Sequence, residues 1–118
     1  PDFSKYPGQL RIGQKNLKKL FDAGVKIAFG TDTGPPARFQ GYFEHRELEL
    51  MVQAGLTPAQ ALQTATLNAA ECLKIEQDYG SLEAGKRADL VLLDADPLED
   101  ILNTRKINQV WIGGRAVD

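Results

Sequence analysis

Gly24-Val25-Lys26-Ile27-Ala28-Phe29-Gly30-Thr31-Asp32-Thr33-Gly34-Pro35-Pro36 is the stretch on which the fold turns. From Val25 to Gly30, β-branched and aromatic residues alternate with smaller or polar ones, the pattern of a strand, and the run stops in a turn rich in glycine and proline. Upstream, Leu10, Leu17, Leu20 and Phe21 fall at helical spacing between about Gly8 and Ala23, with Lys15, Lys18, Lys19 and Asp22 on the other side. Gly24 suits the left-handed residue that closes such a helix. The order is helix, tight turn, strand, then a loop at the strand's C-terminal end. A strand of the parallel type wants neighbours on both sides, and the remaining sequence offers it none.

Downstream, a second helix starts near Phe43, carrying Leu48, Met51 and Val52 inward and Glu44, Arg46, Glu47 and Glu49 outward, and stops at Gly55. Thr57-Pro58-Ala59-Gln60 opens a third: Thr57 caps, Pro58 suits the first helical position and Gln60 completes a capping box. Its apolar side runs Ala61, Leu62, Ala65, Ala69, Leu73, and Cys72 near this face reads as a small buried hydrophobe. After Ile75 the chain changes to short β-branched runs. Residues 88–93 and 107–112 read as strands, with a turn at Glu83-Ala84-Gly85-Lys86 and a two-residue hairpin turn at Gly113-Gly114 leading into Arg115-Ala116-Val117. A boundary at residues 76–81 divides the chain into 1–76 and 77–118. About three strands are too few for a small β-domain, so the missing ones are expected from elsewhere.

Composition bounds the function. The chain has 118 residues, 42% hydrophobic and 25% charged, as an ordinary globular domain does. A complete (β/α)8 barrel needs roughly 200 residues or more, so anything barrel-like here is a piece. Fourteen Lys and Arg against sixteen Asp and Glu, mixed along the chain, argue against nucleic acid as a partner. One cysteine excludes an intrachain disulfide and suggests a reducing, cytoplasmic compartment. No window reaches the ~18 apolar residues of a membrane span, and no secretion signal opens the chain. The Pro1 start reads as an interior segment or a trimmed chain.

Three positions invite chemistry. Asp32 follows an apolar strand directly, where α/β proteins place their reactive groups, although an Asp in a turn also serves as a local cap. His45 is the only histidine, and no sequence neighbour completes a metal pair with it; a polar residue at a helix start is its plain reading. Asp94 and Asp96, near Pro97, read as turn formers. Phosphate loops and Ser-His-Asp arrangements are absent.

Taken together, Gly24 to Asp32, Ala54-Gly55-Leu56-Thr57-Pro58-Ala59-Gln60-Ala61-Leu62 through Thr66-Leu67-Asn68-Ala69-Ala70, and Gly80 to Val91 resemble the C-terminal region of the metal-dependent amidohydrolase superfamily, in the branch of imidazolonepropionase and prolidase-like enzymes. The resemblance implies an α/β fold: the last strand and flanking helices of a (β/α)8 TIM-like barrel, followed by C-terminal strands of a small composite β-sandwich. It implies that Asp32 contacts the metal centre, takes a proton from the attacking water and passes one to the leaving group as a C–N bond breaks. The implied cofactor is a divalent metal, zinc by default, and the implied substrate a small amide or dipeptide. Arg38 could meet a substrate carboxylate, His45 could touch substrate, and Phe39, Tyr42 and Phe43 could line a pocket. Asn68-Ala69-Ala70 is packing rather than chemistry.

The family's His-x-His pair, its bridging carboxylate or modified lysine and its further histidines are missing. The isolated chain is therefore expected to be inactive, and to associate with the missing N-terminal barrel segment or a swapped copy as a homo-oligomer. The rival reading is a noncatalytic truncated or split-subunit module that folds by association.

Overall fold

The computed structural model describes residues 6–36 and 39–117. Four helices, α1 (Tyr6–Asp22), α2 (Tyr42–Gln53), α3 (Pro58–Ala65) and α4 (Leu67–Leu73), precede three strands, β1 (Leu90–Leu93), β2 (Ile107–Ile112) and β3 (Arg115–Val117). A short 3₁₀ helix, Ile101–Arg105, sits between β1 and β2. The sequence pattern did not separate it from the loop that follows Pro97.

The helix ends follow local chemistry. Val25 N–H donates to Leu20 and Gly24 N–H to Phe21, both at 3.0 Å, so the last carbonyls of α1 are met by the turn that closes it. At α3 the expected capping box is complete: Gln60 N–H donates to Thr57 Oγ1 at 3.2 Å and Thr57 N–H to Gln60 Oε1 at 2.9 Å.

The third helix is not one rod. Thr66, with φ −121° and ψ −93°, breaks it between α3 and α4, and its hydroxyl donates back to Leu62 O. The break changes the phase of the helix. Thr64, Asn68 and Ala70 are buried, whereas Leu73 and Cys72 are exposed, which corrects the expectation of a buried cysteine.

Residues 25–33 form neither helix nor strand among the described residues, and no second strand lies beside them to complete a ladder. Helices serve instead. Phe29 N–H donates to Thr64 O at 3.0 Å, and the Asn68 side-chain amide donates to Ile27 O at 2.9 Å. Ile27 and Phe29 thereby pack on the core of Leu48, Met51, Leu56, Ala61 and Ile101. Ile101 comes from the 3₁₀ helix, so the C-terminal part enters the same core as the helices.

The sheet has the order β1-β2-β3, all antiparallel, with a register irregularity between Leu92 and Leu93. Gly113 and Gly114, with φ +58° and +78°, form the expected tight turn between β2 and β3, since both positions need the left-handed region. Asp89 Oδ1 accepts from Gly113 N–H at 2.6 Å, tying the start of β1 to the hairpin turn. Asp96 does form a turn, accepting from Leu98 N–H at 2.7 Å, while Asp94 accepts from the Asn108 side chain. Lys86 is largely covered and donates to Ser81 Oγ. Val91 and Ile112 remain 51% and 61% exposed.

Gly80 marks the passage from helices to sheet. A Cβ there would lie 2.7 Å from Ala70 Cβ and 3.0 Å from Leu67 Cα, and φ is +91°. Gly80→Ala should therefore cost roughly 2 kcal/mol or more, from overpacking against α4 and from backbone strain. Gly13→Ala, in α1 with open space around it, should stabilise by about 0.5–1 kcal/mol. Urea midpoints of the two variants should move in opposite directions at an unchanged m-value.

Candidate active site

The extended segment delivers Asp32 to its C-terminal end with φ +53°, an unfavourable conformation for a residue with a Cβ, though Asp tolerates it better than most. Asp32 is exposed, and the threonines on either side are half-buried. Both threonines face Glu44, in the first turn of α2. Thr33 Oγ1 donates to Glu44 Oε1 at 2.7 Å. Thr31 Oγ1 lies 3.3 Å from both Thr33 Oγ1 and Glu44 Oε1, and can give its single proton to either. The other carboxylate oxygen accepts Gly41 N–H at 2.6 Å, which supplies half of a capping box where glycine has no side chain to supply the rest.

These donors stabilise the charged form of Glu44. The Thr33 hydroxyl, with help from backbone N–H groups and Thr31, holds its carboxyl below the ordinary glutamate value. Read from sequence, Glu44 belongs to a solvated face. The signal that would have found it is the capping-box spacing from Gly41, which is weak when the cap is glycine.

His45 follows directly and turns the other way. Its Nδ1 lies 2.9 Å from Thr104 Oγ1, while that hydroxyl donates to Ile101 O at 2.8 Å. With the Thr104 proton committed to a carbonyl, neutral His45 carries its proton on Nδ1 and gives it to Thr104, leaving Nε2 as the lone pair. Burial first, then the neighbouring charge of Arg105, push the His45 pKa below its ordinary value, and Glu44 opposes them. The Arg105 guanidinium lies 5.8 Å from the Tyr42 ring centroid and 3.3 Å from Glu49 Oε2. Tyr42 meets Phe43 edge-on at 5.2 Å, and Phe39 is exposed. Arg38 lies outside the described residues.

Asp32 and His45 are thus tied through consecutive residues of one helical turn. Among the described residues no group of three or more His, Cys, Asp or Glu could hold a metal ion. A catalytic zinc site takes about three protein ligands, so these residues do not by themselves fit a metal centre, and Asp32 fits only as one donor of a set completed elsewhere. No helix among them is long and apolar enough to cross a membrane.

The sequence profile of the amidohydrolase family matches residues 5–117. Imidazolonepropionase of Treponema denticola is 33% identical over 103 residues, spanning 85% of this chain and 25% of that protein. Among solved structures, a Xaa-Pro dipeptidase with bound methionine superimposes with a TM-score of 0.80 at 35% identity, over 89% of this chain and 25% of its own. Phenylurea hydrolase B does so with a TM-score of 0.81 at 34% identity, over 87% and 26%. The chain belongs to the amidohydrolase family. It spans about a quarter of the length of the relatives it matches.

The His45 geometry carries a pH dependence. Because folding lowers its pKa, the unfolded chain takes up a proton near 6.5, before the folded chain does. The His45 contribution to stability is thus fully present above about pH 6.5 and declines as pH falls toward the lowered folded value. Urea midpoints measured between pH 5 and 8 should show this decline, and His45→Gln should remove that part of the slope. Glu47, whose carboxyl burial pushes up, gives a slope of the opposite sign that the variant leaves in place.

Proposed function

We propose that the chain is the C-terminal part of a hydrolase that cleaves the C–N bond of a small amide, dipeptide or cyclic amide with water, and that Asp32 is its general base. What carries this reading is Asp32 itself: an exposed carboxylate at the C-terminal end of an extended segment bound to helices, in a chain that belongs to the amidohydrolase family. In this reading residues 1–76 are the last strand and helices of a (β/α)8 barrel, and 77–118 are strands of a small β-sandwich.

A divalent ion, zinc for ligands of this kind, would be held mainly by histidines and a carboxylate outside this chain, with Asp32 as one donor, and when bound would lower the pKa of water toward neutrality. The work of this chain is proton transfer. The Asp32 carboxylate accepts a proton from water as that water attacks the carbonyl carbon, then returns one to the departing nitrogen as the C–N bond breaks. Its exposure gives it access to both, and the surrounding loop keeps it in place.

The exposed apolar side chains of the sheet support assembly with the remainder of a longer chain, or with a second copy, in the cytoplasm. The same exposure favours the rival of a noncatalytic module. Asp32→Asn in the complete protein separates the two. Turnover of Xaa-Pro dipeptides or of imidazolonepropionate should fall about 10²–10⁴-fold while circular dichroism is unchanged. Under the module reading that variant is silent, and Val91→Glu or Ile112→Glu instead dissociates the assembly in native mass spectrometry.

A further inference from the structure

We propose that Glu44 is the positioning residue for Asp32, a carboxylate latch that clamps the residues on either side of it to the first turn of α2. The inference rests on the general-base reading of Asp32 and names the group that makes that base usable.

The geometry is specific. Asp32 sits in the left-handed region, which Asp tolerates but which still costs more than ordinary backbone and is held by its surroundings. Glu44 provides that hold from two directions. Oε1 takes the Thr33 hydroxyl at 2.7 Å and lies 3.3 Å from the Thr31 hydroxyl, which fixes the chain before and after Asp32. Oε2 takes Gly41 N–H at 2.6 Å, which fixes the loop's far end at the start of the helix. The two oxygens act on different pieces of backbone, so a single side chain ties Thr31 and Thr33 to Gly41 at the start of α2.

Ordinary surface carboxylates make exchangeable contacts with water. Glu44 instead accepts from the Thr33 hydroxyl and Gly41 N–H, with the Thr31 hydroxyl 3.3 Å away, while standing where the unmet N–H groups of a helix start favour negative charge. Asp32, between the two threonines, is exposed. Placing a general base to within a fraction of an ångström affects the rate of proton transfer far more than the affinity for substrate.

The test uses the complete protein and the variants Glu44→Ala, Glu44→Gln, Thr33→Val and Thr33→Ser, with Asp32→Asn as reference. With Xaa-Pro dipeptides or imidazolonepropionate as probe, Glu44→Ala and Thr33→Val should each lower kcat about 10–100-fold, with KM changed less than about 3-fold. Thr33→Ser, which keeps the hydroxyl, should restore kcat to within about 3-fold of the parent. A second readout needs no substrate: amide hydrogen exchange at Gly41 should quicken in Glu44→Ala and stay slow in Thr33→Ser and in Glu44→Gln, whose amide oxygen still accepts the Gly41 N–H.

The latch is overturned if Asp32→Asn is inactive while Glu44→Ala and Thr33→Val keep the parent kcat, or if Gly41 exchange is the same in every variant. Full activity of Asp32→Asn would overturn the general-base reading beneath it. Should Glu44→Ala fail to fold, the Thr33→Val and Thr33→Ser pair decides alone, since it alters a single methyl or hydroxyl.

Discussion

A lone extended segment must find partners for its backbone without a sheet, and the rest of this structure is arranged around that need. A buried amide or carbonyl left unmet costs about 1–3 kcal/mol. Two such groups on residues 25–33 are answered by helices: Phe29 N–H by Thr64 O, and Ile27 O by the Asn68 side chain. The acceptor exists because α3 stops. The last four carbonyls of a helix have no intrahelical partner, and Thr64 is the next-to-last residue of α3. A helix running unbroken through Thr66 would have spent the Thr64 carbonyl on its own ladder, so the break that unsettles the helical phase is also what lets the extended segment dock.

From that docking the site follows step by step. Ile27 and Phe29 pack on the shared core, which fixes where Thr31, Asp32 and Thr33 emerge. Glu44 meets the threonines, and His45, one residue on, holds Thr104 of the 3₁₀ helix whose Ile101 is buried in the same core. Motion of the C-terminal part relative to the helices would pull on His45 and through it on the turn that carries Glu44. The loop bearing Asp32 is therefore coupled to the sheet by packing and by two side-chain contacts on one helical turn.

Much of this was legible in the sequence, for identifiable reasons. Caps and tight turns are local: Thr57 with Gln60, and the Gly113-Gly114 hairpin, depend on residues a few positions apart, so spacing alone specified them. Asp32 stood out because an apolar alternating run ends on it. What spacing could not show was long-range. Glu44 looks like any outward-facing glutamate until the threonines eleven and thirteen residues away are brought to it. Asn68 looked like packing, and its role is indeed structural, but the bond it makes spans 41 residues. Cys72 and Leu73 were misjudged because one periodicity was carried through Thr66, where the backbone changes direction.

The contrast between the two ends of the molecule bears on what the sheet is for. The helices bury a contiguous core, and even Thr64 is fully enclosed there. The sheet leaves Val91, Leu92, Ile107, Ile112 and Val117 exposed, with apolar side chains on both of its faces. Its hydrogen-bonded register and tight turn are nonetheless those of a settled antiparallel sheet. Within this chain the sheet leans on the 3₁₀ helix, whose Ile101 is buried in the core shared with the helices. Ile101, with Asn103 and Thr104 buried beside it, joins this part of the chain to the helices, and His45 adds a hydrogen bond to Thr104.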